Sequence, residues 1–119
     1  MTLAVPERRH LPRTRTSYTV SFAMDGVDGT MTAGAHPDGQ LGEIFLRMGK
    51  QGSTVAGLAE AFSIVTSLAL QHGVPLDLIV ERLRLLRFDP AGATGDTEVP
   101  EATSIVDYLA RRLAHDFLD

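Results

Sequence analysis

From Thr16 onward polar and apolar residues alternate. Tyr18, Val20, Phe22 and Met24 fall on one side of the pattern and Thr19 and Ser21 on the other, which predicts a half-buried strand. Asp25-Gly26-Val27-Asp28-Gly29 supplies the glycines of a hairpin bend, and Met31, Ala33 and Ala35 alternate through a second strand over residues 30–35. His36-Pro37-Asp38-Gly39-Gln40 reads as a turn, because proline presets φ and glycine accepts a positive φ. A third strand over residues 41–48 points Ile44, Leu46 and Met48 one way and Glu43, Phe45 and Arg47 the other.

The period then changes from two to about 3.6. Ser53 or Thr54 can cap a helix running to His72, with Val55, Leu58, Ala59, Phe62, Val65, Leu68 and Ala69 at helical spacing and Ile64 and Leu70 widening the stripe. It is apolar over most of its circumference and its one charged residue is Glu60, so the pattern predicts the central helix of the fold. Gly73 suits the residue after the helix, and Pro75 suits the first turn of the next. That second helix covers residues 75–86, with Leu76, Ile79, Val80 and Leu83 inward and Asp77, Glu81, Arg82 and Arg84 outward. A loop follows over residues 88–99. The last helix begins at Pro100 or Thr103 and ends at Leu118, with Ile105, Val106, Leu109, Leu113 and Phe117 on one side. Strands first and helices afterwards predict an α+β fold, a three-stranded antiparallel β-meander followed by three α-helices packed on one face. Residues 1–16 read as an extended basic arm and residues 17–119 as a single domain.

Composition narrows the function. The chain has 119 residues, 44% hydrophobic and 22% charged, enough for one core without staples. It has no cysteine, which excludes thiolate and thiyl chemistry, cysteine-ligated zinc and iron–sulfur clusters. His10, His36, His72 and His115 are scattered without a paired spacing, so no metal site is expected. Uninterrupted apolar runs fall short of a membrane span, and Met1 to Pro12 lacks a signal-peptide core; the expectation is a cytoplasmic protein away from membranes. Arg8, Arg9, Arg13 and Arg15 against Glu7 give the arm +3 within a chain of −4, which leaves −7 on the rest. Such an arm attracts nucleic acid or an acidic partner, or meets a surface of its own fold; the acidic body and the lack of a reading motif disfavour nucleic acid.

Chemistry-bearing residues concentrate where the third strand meets the first helix. Gly49-Lys50-Gln51-Gly52-Ser53-Thr54 places free amides, a helix dipole and one lysine at a turn, the ingredients of an anion site. It is not a Walker A loop, since the lysine precedes the second glycine instead of adjoining the hydroxyl residue. The alternative is a strand-to-helix turn with a serine or threonine cap. Lys50, Gln51, Gly52, Ser53 and Thr54, with Arg87, are therefore the candidate ligand-binding residues, and no catalytic set emerges. Asp89, Asp96 and Glu98 lie in a loop, and neither Ser53 nor Ser104 has a motif-placed base. Arg82, Arg84, Arg87, Arg111 and Arg112 offer phosphate contacts or form a solvated helix face.

Several stretches taken together resemble one family. They are Leu11-Pro12-Arg13, Asp38-Gly39-Gln40-Leu41-Gly42-Glu43-Ile44-Phe45, Gly52-Ser53-Thr54, Ser67 through Leu76, Arg87-Phe88-Asp89-Pro90, Ala93-Thr94-Gly95 and Ser104-Ile105-Val106-Asp107-Tyr108-Leu109. Nearly the whole chain from about residue 8 resembles the TSCPD-like region beyond the catalytic barrel of adenosylcobalamin-dependent (class II) ribonucleotide reductases, here as a stand-alone domain. The resemblance implies a background in nucleotide metabolism and DNA biosynthesis. The family's reductase chemistry uses a cysteine radical and cysteine reductants in a far larger barrel, and none of that is present here. Many relatives carry cysteines near the start of the long helix and before the last one; the matching stretches here, Gln51 to Val55 and Val99 to Ser104, have none. Metal or redox roles of those cysteines and cobalamin binding are therefore not implied, and no cofactor is expected.

Three readings follow. The first is a non-catalytic, regulatory module that binds a nucleotide or nucleotide-like ligand or modulates a partner protein. The second is a structural subunit that docks on a separately encoded reductase, or assembles as a homodimer, through its apolar helices. The third is nucleic-acid binding through the arm.

Overall fold

The computed structural model describes residues 7–118, and the first six residues of the expected arm lie outside the described residues. Three strands form an antiparallel meander in the order β1 (Ser17–Met24), β2 (Val27–Ala35) and β3 (Leu41–Met48). Asp25 and Gly26 both take positive φ, 50° and 79°, so the first hairpin closes in two residues and β2 begins three residues earlier than the pattern predicts. Met24, Met31, Ile44, Leu46 and Met48 are buried on one face of the sheet. The other face carries Thr19, Thr32 and Phe45, then Ser21, Thr30 and Arg47, in register across the three strands.

Helices α1 (Thr54–Gln71), α2 (Leu76–Leu83) and α3 (Ile105–Phe117) follow, so the fold is the expected α+β class. Within the loop expected over residues 88–99 and just beyond it, β4 (Gly92–Ala93) pairs with β5 (Glu101–Ala102). Strands of two residues carry too little alternation to register in the sequence.

The core helix is α3. Ile105, Tyr108, Leu109 and Leu113 are buried with the sheet's apolar face, and the Tyr108 ring meets Phe22 with centroids 4.6 Å apart. The expected central helix, α1, lies elsewhere. It runs along the free edge of β3, where the Ser63 hydroxyl accepts the Leu46 amide at 2.8 Å and the Ser67 hydroxyl accepts the Ile44 amide at 3.0 Å. Ser67 also donates to the Ile44 carbonyl at 3.1 Å, and the Gln71 side-chain amide donates to the Gly42 carbonyl at 2.9 Å.

The two spacings match. Four helical residues advance about 6 Å and two strand residues about 6.7 Å, so side chains at i, i+4 and i+8 meet alternate residues of an antiparallel neighbour. An edge strand exposes unpaired backbone groups that invite pairing with another chain. Here α1 satisfies them with polar side chains, and its buried residues are accordingly Ala59, Ser63, Thr66 and Gln71.

Candidate functional site

Ser53 is the α1 N-cap, its hydroxyl accepting the Ala56 amide at 3.2 Å while its carbonyl accepts the Gly57 amide at 3.0 Å. The preceding turn is shaped by Gly49 and Gly52, at φ 79° and 85°, and closed by the Ser53 amide donating to the Lys50 carbonyl at 3.0 Å. Lys50, Gln51, Gly52 and Thr54 are exposed. The adjacent cleft, about 420 Å³, is lined by Ser21, Phe22, Asp28, Gly29, Thr30, Arg47, Met48 and Gly49, and not by residues 50–54. Arg87 does not line it either. The structure thus shows a capped, glycine-shaped turn that includes a lysine whose side chain has no partner among the described residues, and places Arg87 in a different segment.

The described part of the arm is docked on the fold. The Arg8 side chain donates to Gln71 Oε1 at 2.6 Å, and the Arg9 amide donates to the Gln71 carbonyl at 2.7 Å. Arg9 also pairs with Asp38 at 2.9 Å, and Arg15 grips Glu43 through two bonds of 2.5 and 2.9 Å. A side chain at Gly42 would run into Leu11 and His36, so glycine is what lets the arm cross β3 there. Of the four arm arginines, Arg13 alone has no hydrogen bond or ion pair among the described residues.

Two polar clusters around α3 went unread in the sequence. Asp107 is fully buried; its oxygens accept the Leu85 amide at 2.7 Å, the Thr103 amide at 2.9 Å and the Arg111 guanidinium at 2.9 Å. Burial pushes its carboxyl up, but the two amides and Arg111 outweigh that and hold it below the ordinary aspartate value. In the second cluster Asp96 accepts from the Tyr108 hydroxyl at 2.6 Å and from Arg112 at 3.1 Å. Arg112 also pairs with Asp116 at 2.9 Å, and the Tyr18 hydroxyl donates to Asp116. Burial and these carboxylates push both tyrosine hydroxyls up. Burial also pushes Asp96 and Asp116 up, but Tyr108, the Glu98 amide and Arg112 together hold Asp96 down, and Tyr18, His115 and Arg112 together hold Asp116 down.

His115, between Asp116 and Glu98 at 3.0 Å each, is raised chiefly by its bond to Asp116. Every buried side-chain nitrogen and oxygen among the described residues has a partner, so these clusters clamp α3 and the 94–103 loop together. The legible signal was the four-residue spacing of Asp107–Arg111 and Arg112–Asp116. Among the described residues no three His, Asp or Glu side chains converge as metal ligands.

The most unusual surface is the side of α1 turned away from β3. Val55, Leu58, Ile64, Val65 and Leu68 are 39 to 66% exposed there, against the central position expected of the helix. The helix is 18 residues long and apolar enough to cross a membrane by length and composition, which the count of uninterrupted apolar runs did not foresee. Its Ser63, Ser67 and Gln71 are nonetheless committed to β3. The helix therefore has one polar face that seals a strand edge and one uncharged apolar face without a partner among the described residues.

Comparison with known proteins adds a lineage. The TSCPD domain family model matches residues 4–117. The chain is 54% identical over 113 residues to a vitamin B12-dependent ribonucleotide reductase of Streptantibioticus cattleyicolor, covering 95% of this chain and 19% of that protein. It is likewise 54% identical to the Streptomyces coelicolor enzyme of the same name, covering 12% of it, and 42% identical to that of Rhodopirellula baltica, covering 11%. The chain thus spans a fifth or less of the length of these relatives. No solved structure matches it.

Proposed function

The chain belongs to the TSCPD domain family, and we propose that it is a non-catalytic, cytoplasmic accessory module that docks on a vitamin B12-dependent ribonucleotide reductase polypeptide through the outer face of α1. The observation that carries this reading is the row of five large aliphatic side chains exposed on a helix whose only charge is Glu60. Contiguous exposed apolar surface of this kind marks a protein interface. The relatives support this choice of occupant, since in each of them four-fifths or more of the polypeptide lies outside the matched segment. The absence of cysteine supports a role without reductase chemistry of its own.

Sedimentation velocity of the full chain with the reductase polypeptide of the same cell tests this. Joint sedimentation is expected, lost on Leu58→Ser/Val65→Ser/Leu68→Ser. A complex that survives the triple substitution, or no complex at all, contradicts the reading. A chain that sediments alone as a dimer, dissolved by the same substitutions, assigns the face to a second copy instead.

A nucleotide ligand at Lys50 to Thr54 is the second reading, favoured by the exposed Lys50 in the turn before the α1 N-cap, whose side chain has no partner among the described residues. It requires a ligand-induced rise in melting temperature that Lys50→Ala abolishes.

A further inference from the structure

Residues 82 to 88 read Arg-Leu-Arg-Leu-Leu-Arg-Phe. Beyond α2, Leu85 takes φ 68°, a left-handed conformation that leucine adopts only under constraint. The constraint is buried: Asp107 accepts the Leu85 amide at 2.7 Å. Thr103 holds the rest, its hydroxyl donating to the Leu86 carbonyl at 2.9 Å and its carbonyl accepting the Phe88 amide at 3.1 Å. The main chain of the segment is thus pinned from behind, while Leu85, Leu86 and Phe88 stay 65, 44 and 44% exposed. A rigid backbone displaying apolar side chains lowers the ordering cost of binding.

The charges around this display are also uncommitted. The side chains of Arg82, Arg84 and Arg87 are exposed and make no hydrogen bond or ion pair among the described residues, whereas those of Arg8, Arg9, Arg15, Arg111 and Arg112 are all engaged. Three unpaired guanidiniums within seven residues stand out on a chain of net charge −4. Glu81 and Asp89 flank the stretch and pair with none of the three. Guanidiniums beside exposed apolar side chains fit carboxylates interleaved with apolar groups, since the planar fork binds a carboxylate bidentately.

We propose that residues 82 to 88 are a docking surface for an acidic segment of a partner protein that carries leucine- or phenylalanine-like side chains between its carboxylates. This surface lies at the corner between α2 and α3 and shares no residue with the outer face of α1, so it stands or falls separately from reductase docking.

The test is selection of a random dodecamer peptide library on the immobilised full chain, with fluorescence anisotropy of the recovered peptides. Peptides with Asp or Glu interleaved with Leu, Ile or Phe are expected, weakening with added salt. Arg82→Glu/Arg84→Glu/Arg87→Glu should lower their affinity by about tenfold or more. Leu85→Gly supplies the second variant. Glycine accepts the positive φ, so it deletes the side chain without lowering the melting temperature, and it should weaken the same peptides. A library that yields no acidic binder, or acidic peptides that bind both variants as tightly as the native chain, overturns the proposal.

Discussion

Two helices of this protein reverse the usual relation between apolar content and burial. Helix α1 has one charged residue in eighteen and turns most of its large aliphatic side chains to solvent. Helix α3 carries Asp107, Arg111, Arg112, His115 and Asp116 within thirteen residues, yet provides the centre of the core. The difference lies in segregation. On α3 the apolar residues share one side, and the carboxylates beside them are met by amides, tyrosine hydroxyls and arginines. On α1 they run most of the way round, so hydrophobicity does not select a face. The polar residues select it, because Ser63, Ser67 and Gln71 can saturate the edge of β3 and an aliphatic side chain cannot. On a helix apolar all round, the polar spacing shows which side is docked.

The comparison breaks most visibly in α3. Leu109→Ala, at a fully buried position, should cost about 3–4 kcal/mol in urea denaturation. Asp107→Ala should cost about 3 kcal/mol, because the Leu85 and Thr103 amides and Arg111 lose their acceptor. That variant also carries a pH signature. Asp96, Asp107 and Asp116 are all held below their ordinary value, so their contribution is complete above the unfolded-state value of about 4 and is lost as pH falls through the lower folded-state values. Stability measured against pH should therefore fall on the acid side in the native chain, and less steeply in Asp107→Ala.

A smaller effect sharpens the contrast from the α1 side. Ser63→Ala strips the Leu46 amide of its acceptor and should cost about 1–2 kcal/mol, with faster hydrogen exchange at that amide. Unchanged exchange would remove the edge-sealing role.

What the sequence disclosed divides along the same line. Alternation in Tyr18 to Met24 and in Ile44 to Met48 located β1 and β3 and their inner faces, because each strand has one buried side and the period reports it directly. Ser53 was legible as a cap, since a hydroxyl before an apolar period has few other uses. The docked face of α1 was hidden by its many apolar residues, although Ser63, Ser67 and Gln71 at four-residue spacing carried the answer. Asp107 and Asp96 were unreadable as buried groups: their partners are backbone amides, a tyrosine and arginines whose approach depends on the tertiary fold. Lys50 to Thr54 was visible as a turn, while the cleft beside it takes its lining from all three strands.

The smallest expected effect tests the account most directly. Urea denaturation of Leu58→Ser/Val65→Ser/Leu68→Ser removes three large aliphatic side chains from the most apolar helix of the chain. If that face is a docking surface and not core, the loss should stay within about 1.5 kcal/mol, the scale of helix propensity at exposed sites. A loss matching or exceeding that of Leu109→Ala would mean that the outer face of α1 is part of the core, and would contradict the account.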